Sequence, residues 1–226
     1  MSVPSTPDLS CFVVAGGQST RMGSDKALLL LDGTPLVARA LDTLRSLGLS
    51  PRICGSRRDL ARFAEVIPDN FPQRGPLAGI EAALAISETE LNLFLPVDLP
   101  NVPGSFLRWL LARARASQAV AAIPVVGDRP QPLCAVYSRR LLDSIRRSLA
   151  AGDCKVMNGI LTAAESLGEP VDLFNVETVA AAIGPEWPSS SPVTDRFRNV
   201  NTPADYARLT HFRSFATGAK SGHPIS

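Results

Sequence analysis

Between residues 11 and 151, short apolar runs alternate with segments of helical spacing, and this alternation constrains the fold more than any other feature. Cys11-Phe12-Val13-Val14 is an unbroken apolar run stopped by Ala15-Gly16-Gly17, the pattern of a strand buried on both faces. After the turn Asp32-Gly33-Thr34-Pro35, Pro35 is placed to open a helix. In it Leu36, Val37, Ala40, Leu41, Leu44 and Leu47 recur at helical spacing, and Gly48 stands at the C-cap. Further strands are expected at residues 52–54, 65–67, 91–96, 119–124 and 133–137, and helices at 59–64, 77–86, 106–116 and 141–151. Strands alternating with helices imply an α/β fold of Rossmann-like type, a mostly parallel sheet with helices on both faces. Residues 168–196, with Pro185, Pro188, Pro192 and the run Ser189-Ser190-Ser191, read as a surface excursion. Residues 203–209 read as a last helix capped by Thr202.

The 226 residues, 45 % of them hydrophobic, suffice for one substantial core. A single domain over residues 11–210 is therefore expected, with flexible ends at 1–10 and 211–226. A formal charge of +2 implies neither a nucleic-acid nor an acidic-membrane partner. No run approaches the roughly 20 apolar residues of a membrane span, and residues 1–10 lack the pattern of a signal peptide. A cytoplasmic location is expected. Cys11, Cys54, Cys134 and Cys154 form no C-x-x-C pair, so they read as reduced, mostly buried residues rather than metal ligands or a disulfide framework. His211 and His223 belong to no motif and read as surface residues.

The chemistry concentrates in Ala15-Gly16-Gly17-Gln18-Ser19-Thr20-Arg21-Met22-Gly23-Ser24-Asp25-Lys26. Glycines let the backbone bend and approach a ligand with no Cβ in the way, and successive N–H groups in such a loop converge on phosphate oxygens. Arg21 and Lys26 add positive charge, with Arg21 suited to a bidentate phosphate contact. A loop after a buried strand lies at the carboxyl edge of the sheet, where open α/β proteins bind ligands. The spacing matches neither G-x-x-x-x-G-K-[ST] nor G-x-G-x-x-G. On residues alone, the loop is either an anion site or a plain strand-to-helix turn with solvated charges. Asp98 closes Leu93-Phe94-Leu95-Pro96-Val97-Asp98 at a strand end, suited to hold a hard cation beside a triphosphate or to cap the following turn.

The stretch A-G-G-x-S-x-R-M-G-x-D-K resembles the signature of nucleotidyltransferases of the molybdenum cofactor guanylyltransferase type, and the resemblance runs from about Cys11 to Leu209. It implies the nucleotide-diphospho-sugar transferase-like variant of the fold. It further implies that Val14, Ala15, Gly16, Gly17, Lys26, Cys54, Asp69, Gly75, Pro76, Leu77, Ala78, Gly79 and Asp98 line the nucleotide site. Arg21, Lys26 and Asp98 would carry catalysis, and Asp98 would coordinate Mg²⁺. Phe197-Arg198-Asn199-Val200-Asn201-Thr202-Pro203 is similar to the family's F-x-N-V-N-T-P, which places Asn199 and Asn201 near a pterin. The chain departs from the pattern at Cys54, where the family has a nucleotide-contacting asparagine. Neighbouring Ser56 is a candidate substitute.

The reaction implied is GMP transfer from GTP to molybdopterin or its molybdenum-bound form, giving the guanine dinucleotide cofactor and pyrophosphate. Cofactor-delivery or acceptor proteins would be transient partners, and a monomer is favoured. Ala15-Gly16-Gly17 and Pro76-Leu77-Ala78-Gly79 favour guanine over the cytidylyltransferase alternative. Transfer to another phosphorylated acceptor fits Asn199 to Pro203 less well. A non-catalytic nucleotide-binding protein would have less need of Asp98.

Overall fold

The computed structural model describes residues 9–15, 25–183, 192–200 and 205. Its centre is an eight-stranded sheet. Strand β1 (Leu9–Val14) is followed by a two-stranded hairpin, β2 (Leu30–Leu31) and β3 (Thr34–Pro35), and by helix α1 (Leu36–Arg45). Next come β4 (Arg52–Cys54), β5 (Val66–Ile67), α2 (Pro76–Ile86), β6 (Leu91–Pro96), α3 (Gly104–Ser117) and β7 (Ala121–Val126). The remaining elements are β8 (Arg129–Pro130), β9 (Val136–Ser138), α4 (Leu142–Ala150), α5 (Val156–Leu167), β10 (Val171–Asn175) and the single-turn helices α6 (Val176–Val179) and α7 (Val193–Arg196).

The sheet order is β10-β7-β9-β6-β1-β4-β5, with β8 hairpinned onto β7. β1 pairs in parallel with both β4 and β6, β4 with β5, and β7 with β10, whereas β9 runs antiparallel between β6 and β7. The chain thus builds outward from β1 through β4 to β5, then crosses to the other side of β1 as β6. That reversal is the topological switch at which open α/β sheets bind ligands.

Alternation along the central strands divides the core. Cys11 and Val13 of β1 and Leu93 and Leu95 of β6 face one layer, where α1 and α3 bury Leu41, Leu44, Phe106 and Leu110. Phe12, Val14 and Phe94 face the other, where α2, α4 and α5 contribute Leu77, Ile80, Ile145 and Ile160. Phe12 stacks on Phe94 with centroids 5.3 Å apart, and Phe94 meets Tyr137 at 5.6 Å. Helix α2 is apolar nearly all round because it is covered on all sides, as its buried run from Leu77 to Leu84 shows.

The elements expected from sequence appear with small boundary shifts. The segment expected as a helix at 59–64 is instead a 3-10 helix, Arg58–Arg62. The surface excursion expected at 168–196 begins as an edge strand, since β10 pairs with β7 over its whole length. Its pattern was hidden because an edge strand is only half covered: Leu173 is exposed while Phe174 is buried. Helix α5 was also not foreseen. Its Gly159 brings it against α2, and a Cβ there would lie 2.6 Å from Leu77 Cδ2. The expected helix at 203–209, apart from helical Asp205, and the expected tail lie outside the described residues, as do His211 and His223.

Candidate active site

Parallel pairing brings the ends of β1, β4, β5 and β6 to one edge. Val14 is in register with Cys54 on one side and Pro96 on the other, and Cys54 with Ile67. The segments leaving these strands therefore emerge side by side. Ala15 N–H donates to Cys54 O at 3.2 Å, and Val97 N–H to Val14 O at 3.2 Å, which extends the ladder into the loops.

Lys26 returns from the glycine-rich loop at the start of a 3-10 turn, Lys26–Leu28, whose N-cap Asp25 accepts from Ala27 N–H at 3.0 Å. Lys26 Nζ donates to Asp98 Oδ2 at 3.1 Å across the switch point. Lysine and aspartate, 72 positions apart in the chain, thus meet where the sequence expected both to act. Val200 N–H donates to the carbonyl of Asp98 at 2.9 Å, which places Asn199 beside the same turn. That segment is anchored by Phe197, whose ring meets Phe106 edge-on at 5.0 Å, and by fully buried Val200.

The other half of the edge is built on Asp69. Its Oδ2 accepts from Ser56 Oγ at 3.2 Å, and its own N–H donates to that oxygen at 3.3 Å. Its Oδ1 is buried without a hydrogen-bond partner, 3.5 Å from where a Cβ on Gly79 would stand. Burial raises the Asp69 carboxyl above its ordinary value, the Ser56 hydrogen bonds pull it back, and the charge of Glu81 adds to the rise. A buried acceptor with no partner is costly in a resting protein, so Oδ1 marks a place for a ligand's donor.

Gly75 opens α2 with φ +70°, a conformation that side-chain-bearing residues rarely adopt. Pro76 follows at the first helical turn. Leu77 and Ala78 turn into the core, so this segment offers its backbone to the edge. Cys54 is also fully buried. Its thiol donates to Val13 O at 3.6 Å, and burial pushes it well above its ordinary value. It lies under the edge, beside Gly79, and exposed Ser56 stands in the open. The Cys11 and Cys134 thiols are likewise pushed up to about 12 by burial. Gly16, Gly17, Arg21 and Asn201 lie outside the described residues.

Two polar groups behind the edge were not read from the sequence. Arg57 reaches both Asp25 and Asp59. Glu81, 0 % exposed on α2, accepts from Arg146 Nε at 2.6 Å and from Asn70 Nδ2 at 3.0 Å. A glutamate inside the apolar run Leu77 to Leu84 was the available signal for the second.

Among the described residues no cluster of three or more His, Cys, Asp and Glu could by itself hold a metal ion, and no helix is long and apolar enough to cross a membrane. Asp98 offers a single hard oxygen donor group. That donor set fits a divalent cation whose other positions are filled by phosphate and water.

A mostly parallel sheet with a lysine–aspartate pair across its switch point, the lysine closing a glycine-rich sequence, fits an NTP transferase. The family model for the MobA-like NTP transferase domain matches residues 11–167, and the chain belongs to that family. Among its relatives, the molybdenum cofactor guanylyltransferase of Burkholderia orbicola strain MC0-3 is 37 % identical over 173 residues, covering 69 % of this chain and 83 % of that protein. The enzyme of the same name from Burkholderia vietnamiensis is 36 % identical over 168 residues, covering 67 % and 80 %. Solved structures share the fold. Molybdopterin-guanine dinucleotide biosynthesis protein A from Archaeoglobus fulgidus superposes with a TM-score of 0.73 at 24 % identity, covering 91 % of this chain and 99 % of that one. A Mycobacterium tuberculosis protein solved in complex with manganese gives 0.59 at 20 % identity, covering 90 % and 98 %.

Proposed function

We propose that this protein transfers GMP from GTP to a molybdopterin-type acceptor and releases pyrophosphate, with Mg²⁺ as the divalent cation. The observation that carries the reading is the Lys26–Asp98 pair, 3.1 Å apart at the switch point, with the Asn199–Val200 segment bonded to the Asp98 carbonyl. The names of the relatives supply the chemistry.

In this reaction an oxygen of the acceptor's terminal phosphate attacks the α-phosphorus of GTP. A new P–O bond forms as the bond to the bridging oxygen of the β-phosphate breaks, and pyrophosphate leaves. The attacking phosphate is already ionised, so no side chain needs to take a proton. What remains for the protein is positioning and charge neutralisation. Lys26 and Arg21 hold the triphosphate and stabilise charge on the departing pyrophosphate. Asp98 holds Mg²⁺, which neutralises phosphate charge when bound. The backbone of Val14, Ala15, Gly16 and Gly17 cradles the nucleotide, and Asn199 and Asn201 face the acceptor. Cys54 serves from below, as packing under Gly79.

Base choice falls to Asp69, with the Gly75–Gly79 backbone against the ring. A carboxylate only accepts hydrogen bonds, and guanine presents two adjacent N–H donors on its pairing edge. Cytosine presents one amino group beside an acceptor, a poorer match to the open Oδ1. Calorimetry with GTP, CTP and ATP in Mg²⁺ tests the assignment. Selective GTP binding that disappears in Asp69→Asn supports it. A preference for CTP overturns the guanine reading and leaves the fold and family intact.

A further inference from the structure

We infer that Arg57, acting through Asp25, is a positioning residue for Lys26 and the triphosphate. The inference rests on the reading of Lys26 as a triphosphate ligand. Arg57 leaves the carboxyl end of β4 two residues after Gly55, and its guanidinium is gripped on two sides. Nε and Nη2 donate to Asp59 at 2.9 and 2.7 Å. Nη1 donates to Asp25 Oδ1 at 3.0 Å, and Nη2 to Asp25 Oδ2. Both oxygens of Asp25 are therefore held, and Oδ1 still accepts the Ala27 N–H that starts the 3-10 turn. Arg57 pairs with Asp59 and Asp25, and Lys26, next to Asp25 in the chain, pairs with Asp98.

Two consequences follow. First, Asp25 precedes Lys26 directly, so fixing its carboxylate fixes the backbone from which Lys26 reaches the switch point. Two parallel N–H···O bonds impose an orientation that a single contact does not. Second, Asp25 is a negative charge adjoining a site meant for a polyanion, and Arg57 neutralises it there. Asp59 holds the guanidinium from behind so that it stays on Asp25 rather than on solvent. The acidic neighbours make the Arg57 guanidinium hold its proton more tightly, and Arg57 in turn lowers the Asp59 carboxyl.

The test measures binding of inorganic tripolyphosphate with MgCl₂, a probe that no base preference affects, together with KM and kcat for GTP. Arg57→Met is expected to weaken tripolyphosphate binding and raise KM by at least about 10-fold, the scale of losing one charge-assisted contact. Arg58→Met, at the exposed first position of the 3-10 helix that Arg57 precedes, removes equal charge and is expected to change neither by more than about 2-fold. Adding Asp25→Asn to Arg57→Met removes the charge left bare while keeping an N-cap oxygen, and is expected to recover the share of the loss caused by that charge, while the share due to the lost clamp remains. A purely structural role would give no such rescue. Should Arg57→Met fail to fold, Arg57→Lys, which keeps the charge and loses the fork, is expected to bind tripolyphosphate more weakly than wild type. Wild-type binding in a folded Arg57→Met or Arg57→Lys protein, or a double variant no better than the single, overturns the inference. If Lys26→Ala also binds tripolyphosphate as wild type does, the triphosphate reading itself fails. If Lys26→Ala loses binding while Arg57→Met keeps it, only the role of Arg57 falls.

Discussion

Replacing Asp98 by alanine is expected to push two properties of the site in opposite directions. In the resting protein, Asp98 Oδ2 lies 3.1 Å from Lys26 Nζ, with the side chains 21 % and 18 % exposed. At an effective dielectric of about 20, charges at 3.1 Å attract by roughly 5 kcal/mol. Lost hydration and side-chain ordering offset most of that, leaving the net of about 1.5 kcal/mol that charged hydrogen bonds commonly contribute. A polyanion arriving without a metal must compete with this carboxylate for Lys26. Asp98→Ala ends the competition, so tripolyphosphate binding in EDTA is expected to tighten by about 10-fold, the equivalent of 1.4 kcal/mol. With Mg²⁺ the sign reverses. The carboxylate that holds the cation is gone, and turnover is expected to fall by at least about 10²-fold, the scale of losing one major electrostatic contact. Titration calorimetry in EDTA gives the first quantity and pyrophosphate release in Mg²⁺ the second. Weaker metal-free binding would show that Asp98 serves only to orient Lys26. Near wild-type turnover in a folded variant would remove the metal role.

Asp69 links pH to both binding and stability. Its raised carboxyl means the folded protein holds that proton more tightly than the unfolded chain, so its contribution to stability is largest at acid pH and is lost as pH rises through the raised value. GTP binding needs the ionised form and is expected to fall on acidification, starting above the usual carboxylate range; calorimetry of the wild type across that range checks it, and unchanged binding would show that Asp69 does not contact the base. Arg146→Ala leaves the buried Glu81 carboxylate hydrogen-bonded to Asn70 among the described residues. Arg146 is 44 % exposed, and water can replace part of it, so a loss of about 1–3 kcal/mol in urea unfolding is expected; no change in midpoint would show that the Arg146–Glu81 contact does not stabilise the fold. Gly159→Ala gains helix propensity of somewhat under 1 kcal/mol but drives a methyl to 2.6 Å from Leu77 Cδ2 in the closed core. The overpacking cost of about 1–3 kcal/mol exceeds the gain, so the melting temperature is expected to drop, and a rise would show that Leu77 repacks freely.

Much of this was legible in the sequence because local patterns carried it. The run 11–14 ended in glycines, and the β6 expectation of 91–96 coincides with the strand found, because a strand buried on both faces leaves a nearly continuous apolar signature, broken in β6 by Asn92 alone. Lys26 was readable as a site residue because it closes the glycine-rich stretch after β1, and Asp98 because it stands just beyond β6, but their pairing became visible only through the register of β1 with β6. The missed features are the non-local ones. β10 is half exposed and follows a proline, so its pairing with β7 decided its state rather than its composition. Arg57 and Asp25, 32 positions apart, look like ordinary surface charges until β4 and β1 lie side by side. Cys54 was read as a contact from its position in a motif. Its burial under Gly79 follows from which face of β4 it occupies, and that the motif could not tell.

The central claim is that this site joins GMP to a phosphorylated pterin. The direct test incubates the wild-type protein with molybdopterin and Mg²⁺, with either GTP or CTP, and quantifies dinucleotide and pyrophosphate together. Guanine dinucleotide with one pyrophosphate per molecule formed, and little product from CTP, is the expected result. Cytosine dinucleotide as the main product, or GTP bound with no pyrophosphate released, would contradict the account.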